Sequence, residues 1–189
     1  AEPLTREQLV LVARALWDSG YHELRSAAAG LLEQGRAKLA ADDMRLLEQL
    51  LVECETWAHV DWIAPHVVGD LVARFDACAD QLDRWAEHEN FWVRRAALLS
   101  LLVPIRKGES RAAFDRFCGY AAPMLVEDEF FIRKAIGWVL REASKKNPQW
   151  TVEFVREHVA AMSNLTFRAG TRKLPEESQS ALAELRARR

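Results

Sequence analysis

Helix-breaking residues are scarce in this sequence: eight glycines and six prolines among 189 residues, the usage of a chain built mostly from helices. Cysteine is scarcer still. Cys54, Cys78 and Cys118 are odd in number, far apart and without a C-x-x-C spacing. That argues against a disulfide framework or a zinc site and fits buried free thiols in a reducing cytosol. No apolar run reaches membrane-spanning length, and no signal-peptide pattern opens the chain. A Gly-rich phosphate loop, an H-E-x-x-H pair and a G-x-S-x-G elbow are all missing, so the common nucleotide, zinc and serine-hydrolase readings drop out. The five histidines, His22, His59, His66, His88 and His158, show no metal-ligand spacing; each reads as a surface or capping residue.

What is present is an ordinary globular composition, 50% hydrophobic and 29% charged, with enough length for one sizeable domain and its core. Seven tryptophans are many for this size. The net charge of −2 conceals an asymmetry. Residues 1–89 hold 8 Lys/Arg against 17 Asp/Glu, a balance of −9, whereas residues 90–189 hold 18 against 11, a balance of +7. The second half is thereby expected to carry a basic surface for an anionic partner.

Nearly every segment has helical periodicity and none alternates as a strand would. Helices are expected at 6–19, 21–34, 42–53, 57–75, 77–87, 90–106, 110–125, 128–145, 149–160 and 163–174, with Asp42 and Asn90 as N-caps, Lys107-Gly108 as a stop and Asn147-Pro148 before a restart. No break is long enough for a domain linker. The expected organisation is one domain over residues 1–175, followed by a polar, mobile tail at 176–189 that ends in Arg186, Arg188 and Arg189.

Two segments repeat one another. NFWVRRAALLSLL (Asn90–Leu102) aligns with EFFIRKAIGWVLR (Glu129–Arg141) at a spacing of 39 residues, placing Phe91 on Phe130, Arg94 on Arg133, Arg95 on Lys134 and Ala96 on Ala135. A weaker echo lies at Tyr21–Leu32. Self-similarity near 40 residues across helix pairs is the mark of an all-α, HEAT-like helical-repeat solenoid, here of about five pairs. Like positions in stacked repeats point the same way, so Arg94, Arg95, Arg133 and Lys134 are expected to form a basic stripe on the concave surface. Asp61 precedes Arg95 by 34 residues, near the equivalent position of the preceding repeat, and is expected there as one acid among bases.

Asp61 also lies one helical turn after Trp57, so the carboxylate and the indole share a helix face. Trp138 is similarly one turn from Lys134 and from Arg141. For Trp57, Trp92 and Trp138 the core is the default reading, by roughly two to one. The Asp61 pairing of Trp57 and the Lys134 pairing of Trp138 stand against it. Trp17, Trp62, Trp85 and Trp150 read as structural.

W-x-x-V-D at Trp57–Asp61, N-F-W-x-R-R-A-A-L at Asn90–Leu98 and E-F-F-I-R-K-A-I-G-W-V-L-R-E at Glu129–Glu142 resemble the signatures of the AlkD-type DNA alkylation repair glycosylases. L-W-D-S…E-L-R-S-A-A between Leu16 and Ala28 is similar more weakly, so the likeness runs over nearly the whole chain. The resemblance implies a HEAT-like solenoid that excises cationic N3- and N7-alkylated purines from duplex DNA. Asp61 matches the catalytic aspartate, Trp57 and Trp138 match two tryptophans flanking the lesion's sugar, and Arg95 matches an arginine holding the backbone beside it. It further implies upstream helices, absent from this sequence, that contribute another aromatic. No cofactor or metal is implied, and the expected protein is a cytoplasmic, nucleoid-associated monomer.

The chemistry is consistent with that set. A cationic alkylpurine leaves without protonation, so a second, acidic carboxyl is dispensable. A fixed anion near C1′ stabilises the charge that builds on the sugar and can orient water, while indole faces stabilise cationic edges at about 0.5–2 kcal/mol each. Backbone contacts are expected from Arg94, Arg95, Arg133, Lys134 and Arg141, with Lys145, Lys146, Arg172 and Lys173 as further candidates; such contacts are sequence-independent and salt-sensitive. Two other readings use the same residues: a non-catalytic family member that recognises bent or branched DNA, and a protein-binding scaffold, which leaves the basic stripe unexplained.

Overall fold

The computed structural model describes residues 3–188. Every regular element among them is helical, and the chain divides into two compact units, Ala1–Ser100 and Leu101–Arg189.

The first unit opens with α1 (Arg6–Asp18). Thr5 and Gln8 form a reciprocal capping box, the Thr5 hydroxyl accepting from the Gln8 amide and the Gln8 side chain accepting from the Thr5 amide. Next come α2 (His22–Gly35), two single 3₁₀ turns, α3 (Met44–Val52), α4 (Trp57–Ile63), a wide turn over Ala64–Val68, α5 (Gly69–Arg74), α6 (Asp76–Ala86) and α7 (Phe91–Ser100). Trp17, Leu32, Leu47, Leu50, Ile63, Leu82 and Trp85 are fully buried at its centre, each contributing about 1.5–3 kcal/mol by leaving water. The N-cap position expected at Asp42 falls on Asp43. That side chain makes no capping bond to α3 and is turned back instead. Its carboxylate accepts from the Ala40 amide at 2.7 Å and from Arg6 twice at 2.8 Å, whereas Asp42 is exposed. Asn90 does cap α7, accepting from the Trp92 amide at 2.8 Å.

The second unit holds α8 (Leu102–Lys107), α9 (Arg111–Met124), α10 (Phe130–Ser144), α11 (Pro148–His158), α12 (Asn164–Thr171) and α13 (Glu176–Ala187). The single helix expected over 90–106 is broken at Leu101. Pro104 has no amide hydrogen to donate to the Ser100 carbonyl, so the ladder cannot continue there. Gly108 closes α8 in the left-handed conformation, φ 76°, where a side chain would be strained. Phe114, Phe117, Ile132, Ile136 and Val155 form this unit's core.

α10 and α12 approach each other through glycine. A Cβ on Gly137 would come within 2.7 Å of the Ala169 Cβ, and one on Gly170 within 3.1 Å of Leu140. The segment after Pro175 corrects the expectation of a mobile tail. It forms α13, with Leu182 buried and Arg186 donating to the Met162 carbonyl at 2.7 Å and to Asn164 Oδ1 at 3.2 Å. Arg189 lies outside the described residues.

Candidate functional site

Thr56 starts α4, its hydroxyl accepting from the Ala58 amide at 3.4 Å. Trp57 is the first residue of the helix and is 54% exposed, a heavy cost for an indole that had only to fill a core. One turn on, Asp61 is largely buried, and Arg95 of α7 meets it with one edge of its guanidinium: Nε to Oδ1 at 2.8 Å and Nη2 to Oδ2 at 2.9 Å. The Arg95 side chain is 4% exposed and that of Asp61 14%. A bidentate fork of this kind fixes the plane of the carboxylate. Oδ1 lies 2.8 Å from both Nε and Nη2, and Oδ2 keeps a second lone pair for a water or ligand.

The backbone is irregular immediately after the acid. Pro65 lies four residues past Asp61 and cannot donate to its carbonyl, so the helix widens, and Gly69 donates to the Ala64 carbonyl five residues back. The sequence reading of one continuous helix from Trp57 to Phe75 missed this turn. A Cβ on Gly69 would come within 2.7 Å of the Ser100 carbonyl oxygen, so the widened segment presses closely on the end of α7.

Behind α4 sits His59, expected at the surface but buried, 2% exposed. Its Nε2 lies 3.1 Å from Ser26 Oγ and 3.4 Å from the His22 carbonyl, and its ring meets Trp17 edge-on at 5.3 Å. Burial lowers its pKa, partly countered by the His22 carbonyl. Nδ1 has no partner among the described residues. His59 therefore packs α4 onto α1 and α2, on a different side of the helix from Asp61. Trp62 is a surface residue, its ring against Gly30 and its Nε1 donating to Glu33 at 2.7 Å.

The expected basic stripe is mostly occupied by the protein itself. Arg95 is buried on Asp61. Arg94 donates to the carbonyls of His88 and Glu89 at 2.6 and 2.8 Å, and Arg133 donates to the Glu127 carbonyl at 2.8 Å and pairs with Asp128. Positions 94 and 133, equivalent in the repeat, each reach a carbonyl six residues earlier. The repeated arginine ties the preceding loop to its own helix. Lys134 is exposed, its ammonium 5.8 Å from the Phe130 ring centre. Arg141 is half-buried, 3.7 Å from Glu142. Trp138, also half-buried, lies between them at i, i+4, i+7 on one face of α10. Arg168 of α12, exposed and basic, escaped the sequence reading because no repeat partner or motif marks it.

Among the described residues no helix is long and apolar enough to cross a membrane, and no group of three His, Cys, Asp or Glu is placed to hold a metal ion.

The profile of the DNA alkylation repair enzyme family matches residues 1–174, and the chain belongs to that family. A solved structure described as a predicted DNA alkylation repair enzyme from Enterococcus faecalis is similar at 29% identity, over 92% of this chain and 78% of that one, with a TM-score of 0.76. The chain is thus an all-α protein with a helical-repeat fold of this family, and membership supports a role in DNA repair. No curated protein sequence matches it.

Proposed function

We propose that the chain is a monofunctional DNA glycosylase that hydrolyses the N-glycosidic bond of cationic N3- or N7-alkylated purines in duplex DNA. The observation that carries this reading is the Asp61 carboxylate, oriented by two hydrogen bonds from Arg95, one helical turn from a half-exposed indole, Trp57. As the C1′–N bond breaks, its electron pair leaves with the purine and neutralises it, and positive charge moves to the sugar. Asp61 faces that charge and orients the water whose oxygen joins C1′; the water's proton passes to solvent, leaving an abasic sugar. Trp57 lies against the sugar and excludes bulk water. Arg95 acts through Asp61 as a positioning residue, a different role from the backbone contact expected of it. Trp138 enters this reading through the resemblance of its motif alone.

Specificity in such a site comes from the weakness of the lesion's own bond, so no base pocket is required. Single-turnover release of 7-methylguanine from a methylated duplex is the test. Release supports the glycosylase. Tight duplex binding with no release favours the alternative, a non-catalytic family member that binds bent or branched DNA.

A further inference from the structure

The stretch Leu16–Ala28, the weakest part of the sequence likeness, holds none of the proposed site residues. Two consecutive members of it, Arg25 and Ser26 of α2, nevertheless hold the chain on either side of Trp57. Arg25 reaches in one direction. Its Nε donates to the Trp17 carbonyl at 3.3 Å, and its Nη1 donates to the Glu53 carbonyl at 3.3 Å and lies 3.6 Å from Glu55. The guanidinium also stands 5.3 Å from the centre of the Trp17 ring. Glu55 is 85% exposed, so that ion pair contributes little; the bonds to the two carbonyls are the firmer hold. Ser26 reaches in the other direction, its Oγ 3.1 Å from His59 Nε2. The chain is therefore held at Glu53–Glu55 and again at His59, with Trp57 between.

α4 needs such support. It has seven residues, well short of the roughly 12–15 at which an isolated helix becomes even marginal, and the widened turn at Ala64–Val68 follows at once. Arg95 fixes the front of the helix through Asp61. His59 lies two residues from both Trp57 and Asp61, about 200° round the helix. Ser26 thus holds the back of the helix whose front carries the indole and the carboxylate. An indole left 54% exposed takes its direction mainly from the backbone that carries it.

Resting on the glycosylase reading of that site, we propose that Arg25 and Ser26 are positioning residues, which hold the backbone on both sides of Trp57 so that its ring is set against the lesion's sugar before DNA arrives. The gain is preorganisation: a ring already in place loses little freedom on meeting the sugar. Neither side chain touches the substrate, and duplex affinity should not depend on them.

The test is single-turnover release of 7-methylguanine at saturating protein, together with the duplex Kd, for the wild type, Arg25→Gln, Arg25→Lys, Ser26→Ala and a control, Arg6→Gln. The control breaks another arginine pair, to Asp43 at 2.8 Å, at the opposite end of α1 from Trp17. The Trp57 resonance of fluorotryptophan-labelled protein, assigned by its loss in Trp57→Phe, is a second readout that needs no chemistry. Arg25→Gln is expected to slow release about tenfold with Kd changed by less than about twofold, and Arg25→Lys to recover part of the loss. Ser26→Ala should slow release about threefold, the scale of one neutral hydrogen bond; as the milder change it carries the same test should Arg25→Gln not fold. In both the Trp57 resonance should shift or broaden, whereas the control should keep the wild-type rate and resonance.

Release at the wild-type rate by folded Arg25→Gln and Ser26→Ala overturns the proposal. So does an equal loss in the control, which would make the effect general destabilisation. A weakened Kd with an unchanged saturated rate also overturns it, by making Arg25 a contact to DNA. If the wild type releases no base, the glycosylase reading fails by itself and the Trp57 resonance decides: a shift in both variants supports positioning, and no shift overturns it.

Discussion

The guanidinium of Arg95 reaches both oxygens of Asp61, at 2.8 and 2.9 Å, across 34 residues of chain. The acid on α4 is thereby fixed by a base on α7, with most of both side chains out of water. Two adjacent helices are locked at the point where the exposed Trp57 begins its helix, and the pair is structural and chemical at once.

Removing one partner of such a pair leaves the other buried and uncompensated. Arg95→Ala should destabilise the protein by about 3 kcal/mol, the low end for breaking a buried ion pair because Asp61 keeps some exposure. Arg95→Lys keeps the charge but loses the planar fork, and should fall between. Denaturant unfolding of both variants measures this. Equal stability of Arg95→Ala and the wild type would mean that the pair does not hold α4 to α7.

Trp57→Ala should barely change stability, within about 0.5 kcal/mol, because the side chain is already more than half in water. On the proposed mechanism it should slow base release by up to about 30-fold, the equivalent of 2 kcal/mol of indole–cation stabilisation. A large loss of stability with unchanged release would make Trp57 a packing residue.

His59 gives the fold a pH dependence. Burial holds its folded pKa below the ordinary 6.5, so the unfolded chain takes up a proton at a pH where the folded chain does not. Stability should fall as pH drops below about 6.5, and level off once the folded form also protonates. Thermal melts between pH 8 and 5 should show this decline, and His59→Gln should flatten it. A wild-type profile that rises on acidification would contradict the sign.

Gly137→Ala puts a methyl 2.7 Å from the Ala169 Cβ. Overpacking of this kind costs about 1–3 kcal/mol, read in denaturant unfolding as a lowered midpoint. A variant with wild-type stability would show that the two helices have slack.

How much of this was legible beforehand depended on the strength of each local signal. Helices with broad apolar faces and clear punctuation, such as Asn90 before α7 and Gly108 after α8, lay close to where periodicity put them. α13 escaped because a single fully buried residue, Leu182, holds it; one buried leucine makes no periodic stripe, and its remaining anchor, Arg186, reads as tail charge. The widened turn at Ala64–Val68 was flagged only by Pro65, which also fits an ordinary kink. Asp61 was recognisable by motif and by its misfit in an apolar helix. Its bond to Arg95 was not, since the repeat register sets the two near one another without saying that they pair. The same register made Arg94 and Arg133 look like a DNA-facing stripe, although each is committed to the loop before its own helix.

The most direct test of the central claim compares single-turnover release of 7-methylguanine by the wild type and by Asp61→Asn. Asparagine can accept only one of the two Arg95 bonds and leaves the buried guanidinium without its counter-charge. The variant should therefore lose stability toward that of Arg95→Ala, and the comparison is made at a temperature where a melt shows both proteins folded. Release should fall by about 10²–10³-fold, the scale of a lost electrostatic stabiliser, with duplex affinity equal or higher because a repelling anion is gone. Release at the wild-type rate from a folded Asp61→Asn protein would contradict the assignment of Asp61 and, with it, the mechanism.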